Sequence, residues 1–254
     1  MLIAMTREVS AAFEHCQLTH MPRVNIELDL ARAQHEQYEQ CLRTLGCTVQ
    51  RLASGPDLPD SVFIEDTAVV FDELALITRP GALARRLETP AVAESLKAHR
   101  PIVRIEPPGT LDGGDVLQIG RKIFVGLSSR TNSEAIGQIR QLLGAHGYSV
   151  LAVTVRGCLH LKTAVTCIGE DTVLINREWA SANEFAQFDL IEVHPDEPFG
   201  ANALRIGERI IYPSAFPRTR QLMEGRGLDI QTVQVDELGK AEGGVTCCSL
   251  VFNA

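Results

Sequence analysis

One pattern comes round four times in this chain, and it sets the narrowest limit on how the chain can fold. The stretches DELALITRPGALARR, GRKIFVGLSSRTNSEA, GEDTVLINREWASANEF and GERIIYPSAFPRTRQL begin at Asp72, Gly120, Gly169 and Gly207, at intervals of 48, 49 and 38 residues. Each opens on a polar turn and runs through four or five apolar, mostly β-favouring residues. Each then passes through Arg, Ser or Asn into helix-compatible sequence. Five further short strands carry polar clusters: SVFIEDTAVVF, TLDGGDVLQIG, CLHLKTAVTCIG, FGANALRIG and GGVTCCSLVF. Four of these lead into a repeat turn and the fifth into the end of the chain. Helices are expected over 25–47, 88–99, 131–147 and 217–227. A strand–helix unit repeated at this length buries its apolar face only against its neighbours. The expected fold is therefore α/β, a five-bladed α/β propeller of ββαβ-type modules. Its loops should converge on a central site, with residues 1–254 forming one domain.

Composition then limits the partners. Lys and Arg number 24 against 32 Asp and Glu, a net charge of −8. Nucleic-acid binding asks for a basic surface, so that partner is not expected. An acidic cleft suits a small cation instead. No apolar run nears the length of a membrane span, and Arg7 and Glu8 break the N-terminal apolar stretch before a signal-like core forms. Cys16, Cys41, Cys47, Cys158, Cys167, Cys247 and Cys248 make an odd count without regular spacing, which fits a reducing cytoplasm.

The chemistry lies in the clusters beside the strands. In CLHLKT, His160 alternates with Leu159 and Leu161, so an extended segment would put it on one side with Cys158 and Lys162. A lone histidine of this kind is more often structural than catalytic. Asp112 and Asp115 bracket Gly113-Gly114, which is either a hairpin turn or a backbone that can approach a ligand closely. Glu65 and Asp66, with Asp60 ahead of them, interrupt an apolar strand pattern. Carboxylates there need an arginine or a cationic ligand. Arg85 and Arg130 follow the first two repeat turns, where loops should meet, and arginine grips carboxylates bidentately. Singly, each reads as a surface arginine. Together these groups describe a zwitterionic small-molecule substrate, with a thiol and an imidazole as nucleophile and acid/base. Zinc would compete for Cys and His, but no CxxC or paired-His spacing occurs, and adjacent cysteines make awkward tetrahedral ligands. No metal is expected.

In combination and in order, LPDSVFIEDTAVV, ITRPGALARR, PPGTLDGGDVL, GLSSRTN, LHLKT, FGAN and EGGVTCCSL resemble the dimethylarginine dimethylaminohydrolases along nearly the whole chain. These belong to a guanidino-group-modifying superfamily of five-bladed α/β propellers. The resemblance implies cofactor-free hydrolysis of dimethylarginine or monomethylarginine to citrulline and the methylamine, through a covalent cysteine thiouronium. It places the nucleophile at Cys247, the general acid/base at His160 and its supporting carboxylate at Asp112. Substrate contacts carry over to Asp60, Glu65, Asp66, Arg85 and Arg130, with the backbone carbonyls of Leu18 and Ala241 on the α-ammonium. Neighbours in an extended segment point oppositely, so Cys248 is expected on the apolar side with Leu250 and Phe252. An arginine deiminase-like or amidinotransferase-like enzyme would use the same Cys-His-acid set. A ribosome anti-association factor shares the propeller but would not need His160, Asp112 and Cys247 together. A homodimer is compatible with the chain; a membrane partner is not expected.

Overall fold

The computed structural model describes residues 1–254, and the repeated module can be followed through all of them. β1 (Leu2–Arg7) is joined to β2 (Thr48–Leu52) through helix α1 (Leu28–Thr44). The second module is β3 (Ala68–Val70), β4 (Ala75–Ile77), α2 (Thr89–Leu96) and β5 (Ile102–Arg104). The third is β6 (Val116–Ile119), β7 (Lys122–Leu127), α3 (Ser133–Gly144) and β8 (Ser149–Thr154). The short helix α4 (Leu161–Ala164) leads into β9 (Val165–Cys167), β10 (Thr172–Ile175) and β11 (Asp189–Glu192). In that fourth module only a 3-10 turn, Ala182–Phe185, crosses from β10 to β11. The fifth is β12 (Leu204–Ile206), β13 (Arg209–Pro213), α5 (Pro217–Glu224) and β14 (Asp229–Val233). After α6 (Asp236–Gly239), β15 (Leu250–Asn253) returns to the first module.

Five three-stranded sheets result: β15-β1-β2, β3-β4-β5, β6-β7-β8, β9-β10-β11 and β12-β13-β14. In each, the middle strand pairs antiparallel with the inner strand and parallel with the outer one, across the connecting segment. The chain is a five-bladed α/β propeller, and it closes by pairing its ends, Leu2 opposite Asn253 and Met5 opposite Leu250.

Strand alternation explains why the middle strands read as unbroken apolar runs. Side chains on opposite faces of one strand enter different cores. Ile3 and Met5 of β1 pack with the second blade, whereas Ala4 packs with α1 and the fifth blade. Ile123 and Val125 of β7 face the second blade, and Phe124 faces the fourth. Ile210 and Tyr212 of β13 face the fourth blade, and Ile211 the first. Five apolar clusters thus sit in the five junctions between blades. The ring is held by contacts between neighbours.

The expected helices overrun the observed ones by a few residues. Gly46 and Gly147, at φ 91° and 77°, lie just beyond α1 and α3 in the left-handed conformation that stops a helix. The five inner strands surround a central cavity of about 560 Å³. Cys247, His160 and Asp66 do not line it but border a separate, smaller cavity.

Candidate active site

Six segments bring the functional side chains together, those of Asp60 and Asp66, Arg85, Asp112, Arg130, His160, and Ala241 and Cys247, and two glycines make the approach possible. A Cβ at Gly113 would stand 2.0 Å from the Glu65 carbonyl oxygen, and one at Gly114 would stand 2.6 Å from His160 Nδ1. The DGGD turn is therefore pressed against the Ile64–Thr67 turn and His160, and Gly114 N–H donates to Asp66 Oδ1 at 3.0 Å. The sequence left a hairpin turn or a close approach to a ligand open; the close approach seen is to the protein's own Glu65, Asp66 and His160.

His160 lies 3.1 Å from Asp112, Nε2 to Oδ2, and its Nδ1 lies 3.7 Å from Asp66 Oδ1. The expected extended geometry of CLHLKT is not what forms. His160 is the N-cap of α4, and Asp115 accepts the Leu161 N–H at 2.9 Å. That buried carboxylate also accepts the hydroxyls of Ser128 and Thr131 at 2.6 and 2.7 Å, which fixes the turn carrying His160. Burial pulls the imidazole pKa down, but Asp66, Asp112 and Asp115 outweigh it and raise it to about 9. His160 is an imidazolium at neutral pH. Asp66 is the converse: burial pushes its carboxyl up, yet His160, Arg85 and the Gly114 amide hold it at about 2.

Cys247 occupies a hydrogen-bonded turn ahead of β15, not the extended segment expected. Its Sγ accepts the Gly244 N–H at 3.2 Å, and its carbonyl accepts the Glu65 N–H at 3.1 Å. Burial, with Glu65 and Asp66 nearby, pushes the thiol pKa well up, against the Gly244 amide and Lys162. The resting residue is a thiol. Cys248 is fully buried in the cluster holding Tyr38 and Val245, whereas Leu250 and Phe252 pack in the next cluster with Ile3 and Met5. The expected pairing of Cys248 with Leu250 and Phe252 is thus corrected: the turn sends it toward α1.

One small cavity, about 20 Å³, is lined by Asp60, Asp66, Arg85, Arg130, His160, Ala241 and Cys247. Asp112 stands behind His160 and also accepts the Gly81 N–H at 2.9 Å. Two residues expected to contact the substrate, Glu65 and Leu18, are not among those lining this cavity. Glu65 faces the central channel, where it takes Lys162 Nζ at 2.5 Å and the Thr246 hydroxyl at 2.8 Å. Leu18 packs against the apolar cluster under α1, and its neighbour Gln17 takes the wall position. The Gln17 N–H donates to Asp60 Oδ1 at 3.0 Å. Burial raises the Asp60 carboxyl, against Arg85 and that amide.

Arg85 is more committed than its sequence context suggests. Nη1 reaches Asp66 at 2.5 Å, Nη2 reaches Glu88 at 2.8 Å, and Nη2 also donates to the carbonyls of Phe63 and Asp60. Glu88 and Glu242 escaped the sequence reading, and Lys162 entered it only as a residue on the side of His160, because a single charged residue carries no local sign of the tertiary partner it meets. Asp66, Asp112 and His160 offer ligand atoms within 4.8 Å of one another, close enough to hold a cation. Arg85 already neutralises Asp66 at that point.

A five-bladed α/β propeller that gathers a thiol, an imidazolium and carboxylates around one small cavity is an enzyme of the guanidino-modifying class. The family model for N,N dimethylarginine dimethylhydrolase, eukaryotic, matches residues 4–251. The N(G),N(G)-dimethylarginine dimethylaminohydrolase of Streptomyces coelicolor is 37% identical over 249 residues, 97% of this chain and 95% of that one. Its Pseudomonas aeruginosa counterpart is 37% identical over 228 residues, 88% of this chain and 90% of that one. The structure of a Cys-to-Ser variant of the Pseudomonas enzyme complexed with citrulline superimposes with a TM-score of 0.94 at 34% identity, covering 98% of each chain. The chain belongs to the dimethylarginine dimethylaminohydrolase family.

Proposed function

We propose that this enzyme hydrolyses dimethylarginine and monomethylarginine to citrulline and the corresponding methylamine, through a thiouronium on Cys247. The observation that carries the reading is a single cavity lined by Cys247, the His160 imidazolium and the Asp66 carboxylate, together with Asp60, Arg85 and Arg130. Asp66 suits a guanidinium, Asp60 an α-ammonium and the arginines an α-carboxylate. The backbone carbonyl of Ala241 adds an acceptor for the ammonium. Leu18 is assigned the same role through its backbone, and Glu65 supports the site from the channel side through Thr246.

The protonation states dictate the order of events. A guanidinium carbon is a weak electrophile, and the free thiol is a weak nucleophile. Binding the substrate cation beside Cys247 stabilises the thiolate, and the thiol proton leaves to solvent. The thiolate adds to the guanidinium carbon and gives a neutral tetrahedral adduct. His160 then protonates the methylated nitrogen, and the C–N bond breaks to release the amine. A cationic thiouronium remains on sulfur, facing a now neutral imidazole. His160 takes a proton from water, the hydroxide adds to the same carbon, and the C–S bond breaks to return the thiolate. Loss of the hydroxyl proton yields citrulline. Asp112 holds the imidazole through Nε2, so Nδ1 is the nitrogen that exchanges protons with the reacting groups.

The test is stoichiometric release of citrulline and dimethylamine from dimethylarginine. Release of ammonia from arginine with dimethylarginine untouched would replace this reading by a deiminase. The seven cysteines are all free, which supports a reducing compartment, the cytoplasm, as the place of action.

A further inference from the structure

Glu242 is the one non-glycine residue at positive φ, 60°, a conformation that a side chain disfavours. It stands between Ala241 and Gly243, and all three line the catalytic cavity. Its carboxylate explains how the conformation persists. Oε1 accepts the N–H groups of Thr19, His20 and Met21 at 3.1, 2.5 and 2.6 Å, and Oε2 accepts that of Thr19 at 3.0 Å. Three successive amides curl around one anion, the arrangement of a backbone nest.

The segment those amides belong to covers the cavity. It is tied on another side by the Gln17 N–H to Asp60, and Arg130 Nη2 donates to Thr19 Oγ1 at 3.1 Å. Arg23 folds the segment onto itself through the carbonyls of Cys16 and Glu14. Beneath it, about 20 Å³ leaves room for roughly one water, whereas a small-molecule pocket needs on the order of 300 Å³ or more. Substrate entry therefore requires the 16–23 segment to lift. Thr19 and His20 are exposed, so water satisfies their amides once Glu242 lets go. The closed and open forms then differ little in hydrogen bonding, as a reversible closure requires.

We infer that Glu242 is a positioning residue, a latch that holds the 16–23 segment closed over the cavity. Its left-handed backbone lies next to Gly243-Gly244 and five residues ahead of Cys247. Release of the carboxylate loosens that turn, so segment opening and relaxation of the Ala241–Gly244 wall form one motion. The identity of the substrate rests on the function proposed above; the latch does not.

The experiment uses the full-length enzyme with Glu242→Gly, which removes the carboxylate and suits the backbone, and Glu242→Gln, which keeps one acceptor. Amide hydrogen exchange at residues 19–21 should speed up tenfold or more in Glu242→Gly and less in Glu242→Gln. Alkylation of Cys247 by iodoacetamide, which has no amino-acid end, should also speed up in Glu242→Gly. KM for dimethylarginine should rise at least tenfold, the factor that about 1.4 kcal/mol represents, with kcat changed less than threefold and Glu242→Gln in between. Unchanged exchange at 19–21, or KM within twofold of wild type in Glu242→Gly, overturns the latch. If wild type releases no dimethylamine, the proposed function fails, and the exchange and alkylation measurements still decide the latch.

Discussion

The guanidinium of Arg85 bridges two buried carboxylates, lying 2.8 Å from Glu88 and 2.5 Å from Asp66. Removing one member of such a set strands the others without compensation. Arg85→Ala should therefore cost about 3–5 kcal/mol of stability, read as a lower urea midpoint. Arg130 differs: its side chain is 11% exposed and reaches only Thr19 Oγ1 at 3.1 Å and Asp112 at 3.7 Å. Arg130→Ala should fold nearly as well as wild type and raise KM about tenfold to a hundredfold, the value of a charge-assisted contact to the substrate carboxylate. Equal stability losses in the two variants would contradict this division of roles.

His160 gives a pH dependence with a definite sign. Its folded pKa of about 9 lies above the ordinary histidine value of about 6.5. Its contribution to stability is complete below pH 6.5 and is lost as pH rises through 9, about 3 kcal/mol in all. Between those pH values wild type should lose more stability than His160→Gln. The acid needed by the leaving amine disappears over the same range, so kcat should fall above pH 9. Parallel stability profiles for wild type and variant across that window would show that the imidazole is not held charged.

His35 should act in the opposite direction. It is buried on α1, its Nε2 has no hydrogen-bond partner, and its Nδ1 lies 3.7 Å from Glu39. Burial lowers its pKa to about 4, with Glu39 opposing and Arg51 assisting. Below pH 6.5 the unfolded chain takes up a proton that the folded chain refuses. The stability present above pH 6.5 is therefore lost as pH falls toward 4, again by about 3 kcal/mol. His35→Leu should flatten this acid limb in urea titrations at pH 7 and 4.5. Superimposable acid limbs would clear His35 of the effect.

Much of the fold was legible because the middle strands are covered on both faces. IFVG in β7 and IIYP in β13 read as apolar runs at a recurring spacing, and that spacing gave the module. The pairing of β15 with β1 joins the two ends of the chain, and no local pattern encodes it. In the site, Asp66 was legible because a carboxylate amid apolar residues demands a partner, and Arg85 supplies it. The two extended readings failed for a tertiary reason. Asp115 caps the Leu161 N–H and starts a helix where alternation alone suggested a strand. The Gly244–Cys247 turn likewise replaces strand geometry with a bend.

The adjacent thiols of Cys247 and Cys248 separate cleanly by experiment. Cys247 lines the cavity beside His160, while Cys248 is fully buried, its Sγ 3.6 Å from the Gly244 carbonyl. Burial raises both thiols, so neither is a reactive thiolate in the resting protein near neutral pH. A cationic amidine that binds at Asp66 should speed modification of Cys247, because its charge favours the thiolate, and should leave Cys248 untouched. Cys247→Ser should bind substrate without turnover. Cys248→Ser should keep substantial activity and lose about 1–3 kcal/mol of stability, since its hydroxyl is buried without an ideal acceptor. Mass spectrometry of the amidine-treated enzyme should find the adduct on Cys247 alone. An adduct on Cys248, or steady turnover by Cys247→Ser, would move the nucleophile to the other cysteine and with it the whole order of bond making proposed here.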